Sequence, residues 1–142
     1  MTDKTCFDLV NENCNERLDD LRVLWDLYCN DPEDSDDDLG NMNEYGLSFD
    51  YIAPETFNEQ YEGYFRYQLS WGGPSDEFRI FADKISDYNW SVYKIEYWYL
   101  DWFDGAKTVL TGKDYDFIKE IFNSFFVDAG SADSEFEKAI EN

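Results

Sequence analysis

The chain has 142 residues, and 33 acidic against 11 basic side chains give it a formal net charge of −22. Hydrophobic residues make up 43% of it and aromatic residues 20%, which is enough apolar surface for one folded domain despite the charge. The charge excludes direct binding to nucleic acids and anionic membranes, because both require clustered Lys and Arg.

The first predicted element is a helix within residues 15–32, which ends before Pro32. Apolar residues at three- and four-residue spacing form its buried stripe: Leu18, Leu21, Leu24, Trp25 and Tyr28. Acidic residues fall on its other face: Asp19, Asp20 and Asp26. Residues 31–46 lack periodicity and are predicted to form a polar, acidic loop.

The middle of the chain predicts strands. Residues 64–71 alternate as in a half-buried strand, and a turn at residues 72–76 leads into a second strand at residues 77–84. Residues 91–103 are apolar on both faces, which is typical of a central strand. Asp104-Gly105 is a turn signal before a short strand at residues 106–110.

A second helix is predicted over residues 111–126, and a short tail helix over residues 133–142. The pattern indicates an α+β fold with an antiparallel sheet of three to four strands and two to three helices packed against it. We expect one domain over residues 1–142 with three segments: an acidic helix and loop at 1–50, a sheet and helix core at 51–127, and an acidic tail at 128–142.

The chemistry available to the chain is narrow. It has no histidine, which excludes His-based triads and imidazole metal ligands, and it has no CxxC or phosphate-loop motif. Cys6, Cys14 and Cys29 are an odd number without a secretory signal, which favours a reducing, cytoplasmic setting. We therefore expect no catalytic residue, no cofactor and no specific metal site.

The acidic stretch DPEDSDDDLG, residues 31–40, allows three interpretations. Asp34, Asp36 and Asp38 alternate as in a calcium-binding loop, but the required glycine comes one residue late, at Gly40, and Tyr45 occupies the position of the final glutamate. The other interpretations are a solvated loop and a contact surface for a basic protein.

A folded surface with many carboxylates and few Lys or Arg can occupy a groove that normally binds nucleic acid. This interpretation assigns partner contacts to eleven acidic residues in the first helix, the acidic stretch and the end of the long strand: Asp19, Asp20, Asp26, Asp31, Glu33, Asp34, Asp36, Asp37, Asp38, Asp101 and Asp104. The predicted partner is a basic nucleic-acid-binding protein, and the sequence leaves open whether the chain is a monomer or a homodimer.

Two segments carry a resemblance to known proteins: SWGGPSDEFRIFAD, residues 70–83, and IEYWYLDWFDGA, residues 95–106. They resemble part of small acidic proteins encoded on plasmids and phages, which often lie among anti-defence genes. The resemblance spans residues 64–126 at most and implies an anti-restriction or anti-CRISPR role by DNA mimicry. It transfers no catalytic residues. On this basis we expect a non-enzymatic inhibitor that occludes the nucleic-acid groove of a restriction enzyme or CRISPR effector.

Two alternatives remain at this stage. An immunity protein or antitoxin that neutralises a basic toxin would have a similar acidic surface. A carboxylate-based enzyme or sugar-binding module would place stacking tryptophans beside acids, and the candidates are Trp71, Trp90, Trp98, Trp102, Asp76, Asp101 and Asp104. Aromatic residues that alternate along strands are more often core residues, and we expect Trp98 and Phe122 to pack in the interior.

Overall fold

A computed structural model describes residues 5–72, 74–101 and 104–141. The helices and strands, in chain order, are α1 (Cys6–Asn30), α2 (Met42–Tyr45), β1 (Ser48–Ile52), β2 (Tyr64–Ser70), β3 (Ser75–Ser86), β4 (Asn89–Asp101), β5 (Asp104–Val109), α3 (Gly112–Ile121) and α4 (Ser131–Ile140). A π-helical turn at Phe122–Val127 directly continues α3.

The predicted α+β class is confirmed. The strands form one antiparallel sheet in the order β1-β2-β3-β4-β5, so each strand pairs with its neighbour in sequence. The sheet has five strands rather than three to four, because β1 was not recognised from the sequence. Its sequence SFDYI is short, and only Phe49 and Tyr51 give it an alternating pattern.

Two details of the predicted strands are wrong. Asp104 and Gly105 open β5 instead of forming the turn before it. Strand β2 is not half-buried, because side chains on both of its faces are covered, including those of Tyr64, Phe65 and Gln68. β2 is an inner strand between β1 and β3, whereas its alternating sequence is typical of a strand with one solvated face.

Helix α1 begins at Cys6 rather than near residue 15. Its first turn is closed by a capping box, in which Thr5 Oγ1 accepts the Asp8 N–H (3.3 Å) and Asp8 Oδ2 accepts the Thr5 N–H (3.0 Å). The additional turns bury residues at four-residue spacing, which extends the predicted apolar stripe towards the N-terminus: Cys6, Val10 and Cys14.

The chain forms two compact units whose segments alternate along the sequence, so no single linker separates them. The first unit comprises Met1–Leu47, Gln68–Glu77 and Tyr97–Thr108, and the second comprises Ser48–Tyr67, Phe78–Glu96 and Val109–Asn142. The first unit has 18 acidic and 4 basic residues, a net charge of −14, and the second has 15 and 7, a net charge of −8. The negative charge is therefore concentrated in the first unit.

The second unit has an aromatic core. Phe49 of β1 stacks on Phe65 of β2 and on Phe126, with ring centroids 5.4 Å and 3.9 Å apart. Phe122 is fully buried, and its ring centroid lies 5.1 Å from that of Phe65. The π-helical turn, in which the Asp128 N–H donates to the Asn123 carbonyl (3.1 Å), thus supplies two buried rings, Phe122 and Phe126.

Trp98 does not belong to this core. Its side chain on β4 is half-buried, and Lys107 Nζ lies 5.5 Å from its ring centroid. Trp98 was expected to be an interior residue, but its side chain is only partly covered. It lies beside β5, and most side chains of β5 are exposed.

We predict that Trp98→Ala lowers the free energy of unfolding by about 2 kcal/mol, roughly half of the cost of truncating a fully buried aromatic such as Phe122. Urea denaturation followed by circular dichroism measures both variants. Equal losses for Trp98→Ala and Phe122→Ala would show that Trp98 is as fully packed as Phe122.

Candidate functional site

All eleven predicted contact residues belong to the first unit. Most are exposed, whereas Asp20, Asp36 and Asp101 are half-buried. Several accept hydrogen bonds, and these bonds divide the predicted residues into carboxylates that stabilise the fold and carboxylates that face only solvent.

Helix α1 presents its acids along one exposed stripe. At 3.6 residues per turn, five exposed acids fall within an arc of about 80° opposite the buried face of the helix. They extend over about 27 Å at 1.5 Å per residue, so successive carboxylates are on average about 7 Å apart along the helix. We call this stripe the acidic helix face, and it consists of Asp8, Glu12, Glu16, Asp19 and Asp26.

Three of these five residues were missed by the sequence analysis, namely Asp8, Glu12 and Glu16. The helix was predicted to begin near residue 15, so Asp8 and Glu12 lay outside it, and Glu16 lay within it but was not assigned to a face. A signal was present, because Asp8, Glu12 and Glu16 follow each other at four-residue spacing, just as Cys6, Val10 and Cys14 do on the buried side.

The orientation of α1 is fixed by a buried carboxylate, Asp76 of β3, which is 3% exposed. Arg17 of α1 donates to both Asp76 oxygens, from Nε (2.7 Å) and from Nη2 (3.0 Å). The Ser70 and Tyr97 hydroxyls donate to the same carboxylate, each at 2.5 Å. Because Arg17 points towards Asp76, it does not neutralise the acidic helix face on the opposite side of α1.

Tyr45 of α2 extends this network to a predicted contact residue. Its hydroxyl accepts from Arg17 Nη1 (3.0 Å) and donates to Asp20 Oδ2 (2.7 Å). Burial raises the pKa of Tyr45 to about 12, and the Asp20 carboxylate adds to the shift against the opposing effect of Arg17. Burial, together with the hydrogen bond to Asp76, also raises the pKa of Tyr97. Both phenols therefore remain neutral donors at physiological pH, and Asp20 is partly committed to the fold.

Asp104 also has a structural role. Its Oδ2 accepts the Cys6 N–H (2.8 Å) at the first residue of α1, and this hydrogen bond lowers the pKa of Asp104. Burial and the Asp104 carboxylate raise the pKa of the Cys6 thiol, so the thiol stays protonated. The start of β5 thus stabilises α1, and Asp104 is less available to a partner than its sequence position indicated.

The acidic stretch is more ordered than predicted. Asp36 Oδ2 accepts the N–H groups of Asp38 and Leu39, both at 3.0 Å, and a backbone bridge joins Asp36 to Gly40. The predicted loop also ends in a short helix, α2. The carboxylates of Asp37 and Asp38 are exposed and form no hydrogen bond within residues 5–72, 74–101 and 104–141.

We predict that Asp36→Ala lowers the free energy of unfolding by about 1 kcal/mol, because two backbone donors lose their acceptor. Asp37→Ala, one residue away, should leave stability unchanged or slightly raise it by relieving charge repulsion. Urea denaturation of the two variants in one buffer makes the comparison. Equal changes in the two variants would mean that the hydrogen bonds of Asp36 contribute nothing to the free energy of unfolding.

Two further observations concern ligands of the acidic stretch. A shallow pocket of about 430 Å³ lies against it, and its polar lining includes Glu33, Asn41 and Glu44. Among the described residues, no group of three or more His, Cys, Asp or Glu side chains is arranged to hold a metal ion.

The tryptophans and acids named as candidates for a sugar-binding module or carboxylate-based enzyme do not form one exposed set. Trp90 is buried and donates from Nε1 to Asp133 Oδ1 (2.7 Å), and Asp76 is buried beneath Arg17. Trp71 is 77% exposed, Trp98 is half-buried, and Trp102 lies outside the described residues. Two members of the set therefore have no surface to offer a sugar ring.

Asp133 of α4 is a buried carboxylate that contributes to the stability of the second unit. It accepts the Trp90 Nε1–H and the Tyr88 N–H (2.9 Å), and Lys84 Nζ lies 3.8 Å away. Burial alone would raise the pKa of Asp133, but these donors and the Lys84 charge outweigh burial and lower it. Because the folded-state pKa lies below the unfolded value of roughly 3.9, ionised Asp133 stabilises the fold above that value.

We predict that Asp133→Asn lowers the Tm at pH 7, since an amide has one acceptor oxygen for two donors. The Tm difference from wild type should shrink as the pH falls below about 4 and the wild-type carboxyl becomes protonated. Thermal unfolding of both proteins between pH 7 and pH 3 measures the difference. A difference independent of pH would contradict this role for the ionised form.

Within the described residues, no helix is both long and apolar enough to cross a membrane. Comparison of the chain with protein-family models, with curated proteins and with solved structures finds no match. The resemblance of residues 64–126 to small acidic anti-defence proteins therefore stays a prediction.

Proposed function

We propose that the protein is a non-enzymatic inhibitor that uses its acidic surface as a nucleic-acid mimic. It occupies the basic DNA- or RNA-binding groove of a defence nuclease, either a restriction enzyme or a CRISPR effector, in the cytoplasm of a bacterial cell. The observation that carries this proposal is the acidic helix face, an exposed line of carboxylates about 27 Å long.

The acidic helix face carries a line of charges at about half the density of one nucleic-acid strand. B-DNA carries one phosphate per roughly 3.4 Å of each strand, and the carboxylates of the acidic helix face are on average about 7 Å apart. The exposed acids of the following stretch add to this field: Asp31, Glu33, Asp34, Asp37 and Asp38. A groove lined with Lys and Arg would attract such a surface as it attracts phosphates.

Rigidity is the second requirement of a mimic, because a flexible acidic chain loses entropy when it binds. The Asp76 network fixes the rotation of α1, and Asp104 and the Thr5 capping box fix its first turn. The carboxylates are thus presented on a helix whose orientation is set before binding.

The experiment is a displacement assay with purified nucleases. Labelled DNA is bound to a type I restriction enzyme and, separately, to a Cas9–guide RNA complex, and the protein is titrated in. For its target, we expect displacement at a stoichiometric concentration, with an affinity that falls steeply as salt is raised. Poly-glutamate at equal total charge is the control for charge without a folded surface.

Displacement by poly-glutamate at the same concentration would reduce the effect to bulk charge and contradict mimicry. If neither nuclease releases its DNA, the proposal fails for these two classes. A basic toxin that is neutralised instead would favour the immunity-protein alternative.

A further inference from the structure

The connection between β1 and β2 is longer than the sheet requires. β1 ends at Ile52 and β2 begins at Tyr64, so residues 53–63 connect two adjacent antiparallel strands. Such hairpins usually need only about 2 to 5 residues. Compact loops of this greater length that are packed by their own side chains are frequently functional. We call residues 53–63 the β1–β2 loop.

The side chain of Gln60 forms four of the hydrogen bonds that hold the loop together. Its Oε1 accepts the N–H groups of Thr56 (3.0 Å) and Phe57 (3.1 Å). Its Nε2 donates to the carbonyls of Ala53 (3.1 Å) and Glu62 (2.7 Å). Gln60 thus satisfies four backbone groups from the inside of the loop, and the loop has a defined conformation although it contains no helix or strand.

This conformation is not the one that the loop residues prefer individually. Glu55 and Glu59 have φ angles of 66° and 58°, in the left-handed region that disfavours side chains such as Glu. At the end of the loop, a Cβ on Gly63 would overlap Tyr51 Oη, so only glycine fits. The hydrogen bonds of Gln60 and this close approach therefore impose the loop geometry.

The ordered loop displays two aromatic side chains to solvent. Phe57 is 50% exposed and Tyr61 is 78% exposed. Two exposed carboxylates, Glu55 and Glu59, belong to the same loop, whereas Glu62 accepts from Tyr93 Oη (2.8 Å) and Lys94 Nζ (3.1 Å). Exposed aromatic rings on a rigid backbone are typical anchors of protein interfaces, since they bury a large area at a small entropic cost.

We propose that the β1–β2 loop is a docking element that inserts Phe57 and Tyr61 into an apolar pocket of a protein partner whose rim carries Lys or Arg. The charge of the loop supports this choice of partner, because Glu55 and Glu59 repel phosphates and anionic lipid headgroups and complement a basic rim. The proposal does not depend on nucleic-acid mimicry by the first unit, since the loop belongs to the second unit.

The test uses a phage-displayed library of a fibronectin type III scaffold with randomised loops, which is selected on the whole chain. We expect the enriched binders to combine aromatic or aliphatic residues with Lys or Arg. Phe57→Ala and Tyr61→Ala should each weaken their binding by at least about 30-fold without changing the Tm. Phe7→Ala is the matched control, because Phe7 is 79% exposed but lies on α1.

A second variant tests the order of the loop separately from its rings. Gln60→Ala keeps both aromatic side chains and removes the four hydrogen bonds of the Gln60 side chain, so it should speed amide exchange in residues 54–62 and weaken the same binders by about tenfold. If Gln60→Ala binds with unchanged affinity, the ordered conformation of the loop does not contribute to binding.

Four results would overturn the docking proposal itself. Binders that tolerate Phe57→Ala and Tyr61→Ala, or that lose binding equally in Phe7→Ala, would place the preferred surface elsewhere. Binders that contact both rings but contain no Lys or Arg in their loops would contradict the proposed basic rim of the partner's pocket. Binding of a glycan array through Phe57 and Tyr61 would replace the protein partner with a carbohydrate.

Discussion

Asp76→Ala should lower the free energy of unfolding by about 5 kcal/mol, the largest effect on stability that we expect from a single substitution. The half-buried Arg17 guanidinium would lose both hydrogen bonds to its counter-ion, and the Ser70 and Tyr97 hydroxyls would lose their acceptor. Small domains have a total stability of roughly 5 to 15 kcal/mol, so the variant should be partly unfolded at 25 °C. Urea denaturation monitored by circular dichroism measures the loss.

The second unit supplies a matched control for this substitution. Arg66 donates to both oxygens of Asp50 (3.1 Å and 2.7 Å), with the same bidentate geometry, but the Asp50 side chain is 36% exposed. Asp50→Ala should therefore cost no more than about 1 kcal/mol. Equal losses for Asp76→Ala and Asp50→Ala would mean that burial of Asp76 adds nothing to the strength of its ion pair.

A double substitution distinguishes the cost of an unpaired charge from the value of the pair. Replacing Arg17 with Met and Asp76 with Leu removes both charges, and such replacements are often neutral or stabilising. We expect the double variant to recover much of the stability that Asp76→Ala loses. If the double variant is as unstable as the single one, the hydroxyl contacts rather than the unpaired Arg17 dominate.

The second large effect concerns binding. Converting Glu12, Glu16, Asp19 and Asp26 to their amides should slow association with the target nuclease by about 10- to 100-fold at low salt. Dissociation should change less, since exposed charges act mainly on the encounter. The fold should be unchanged or more stable, because Glu12 and Glu16 repel each other at four-residue spacing. Stopped-flow or surface-plasmon measurements at two salt concentrations give the rates.

The matched control changes the same amount of charge in the second unit. Asp116, Asp128, Glu137 and Glu141 are exposed, and converting them to amides also raises the net charge from −22 to −18. This control should slow association far less than the substitutions in α1. Equal slowing would show that the target senses the total charge of the protein and not the acidic helix face.

The sequence predicted those parts of the fold whose signals are local. The stripe from Leu18 to Tyr28 located the second half of α1, and the turn at residues 72–76 located the β2–β3 hairpin, because the periodicity of a helix and the residues of a turn lie within one short window. The start of α1 also had a local signal, the capping box of Thr5 and Asp8, and it was not recognised.

The candidate site was less predictable, because tertiary contacts decide which carboxylates face a partner. Asp76 is buried by Arg17, which lies 59 residues away in sequence, and Asp104 is committed to Cys6, 98 residues away. In the sequence, neither differs from an exposed aspartate such as Asp19 or Asp37. Local composition therefore identified an acidic surface but not which carboxylates are exposed on it.

The structure of a complex between the protein and the nuclease that we propose as its target tests nucleic-acid mimicry most directly. We predict that α1 lies in the groove that binds DNA or RNA, with Glu12, Glu16, Asp19 and Asp26 within 4 Å of Lys or Arg side chains that otherwise contact phosphates. A complex in which that groove is open while the acidic helix face points to solvent would contradict the proposal and indicate an allosteric inhibitor.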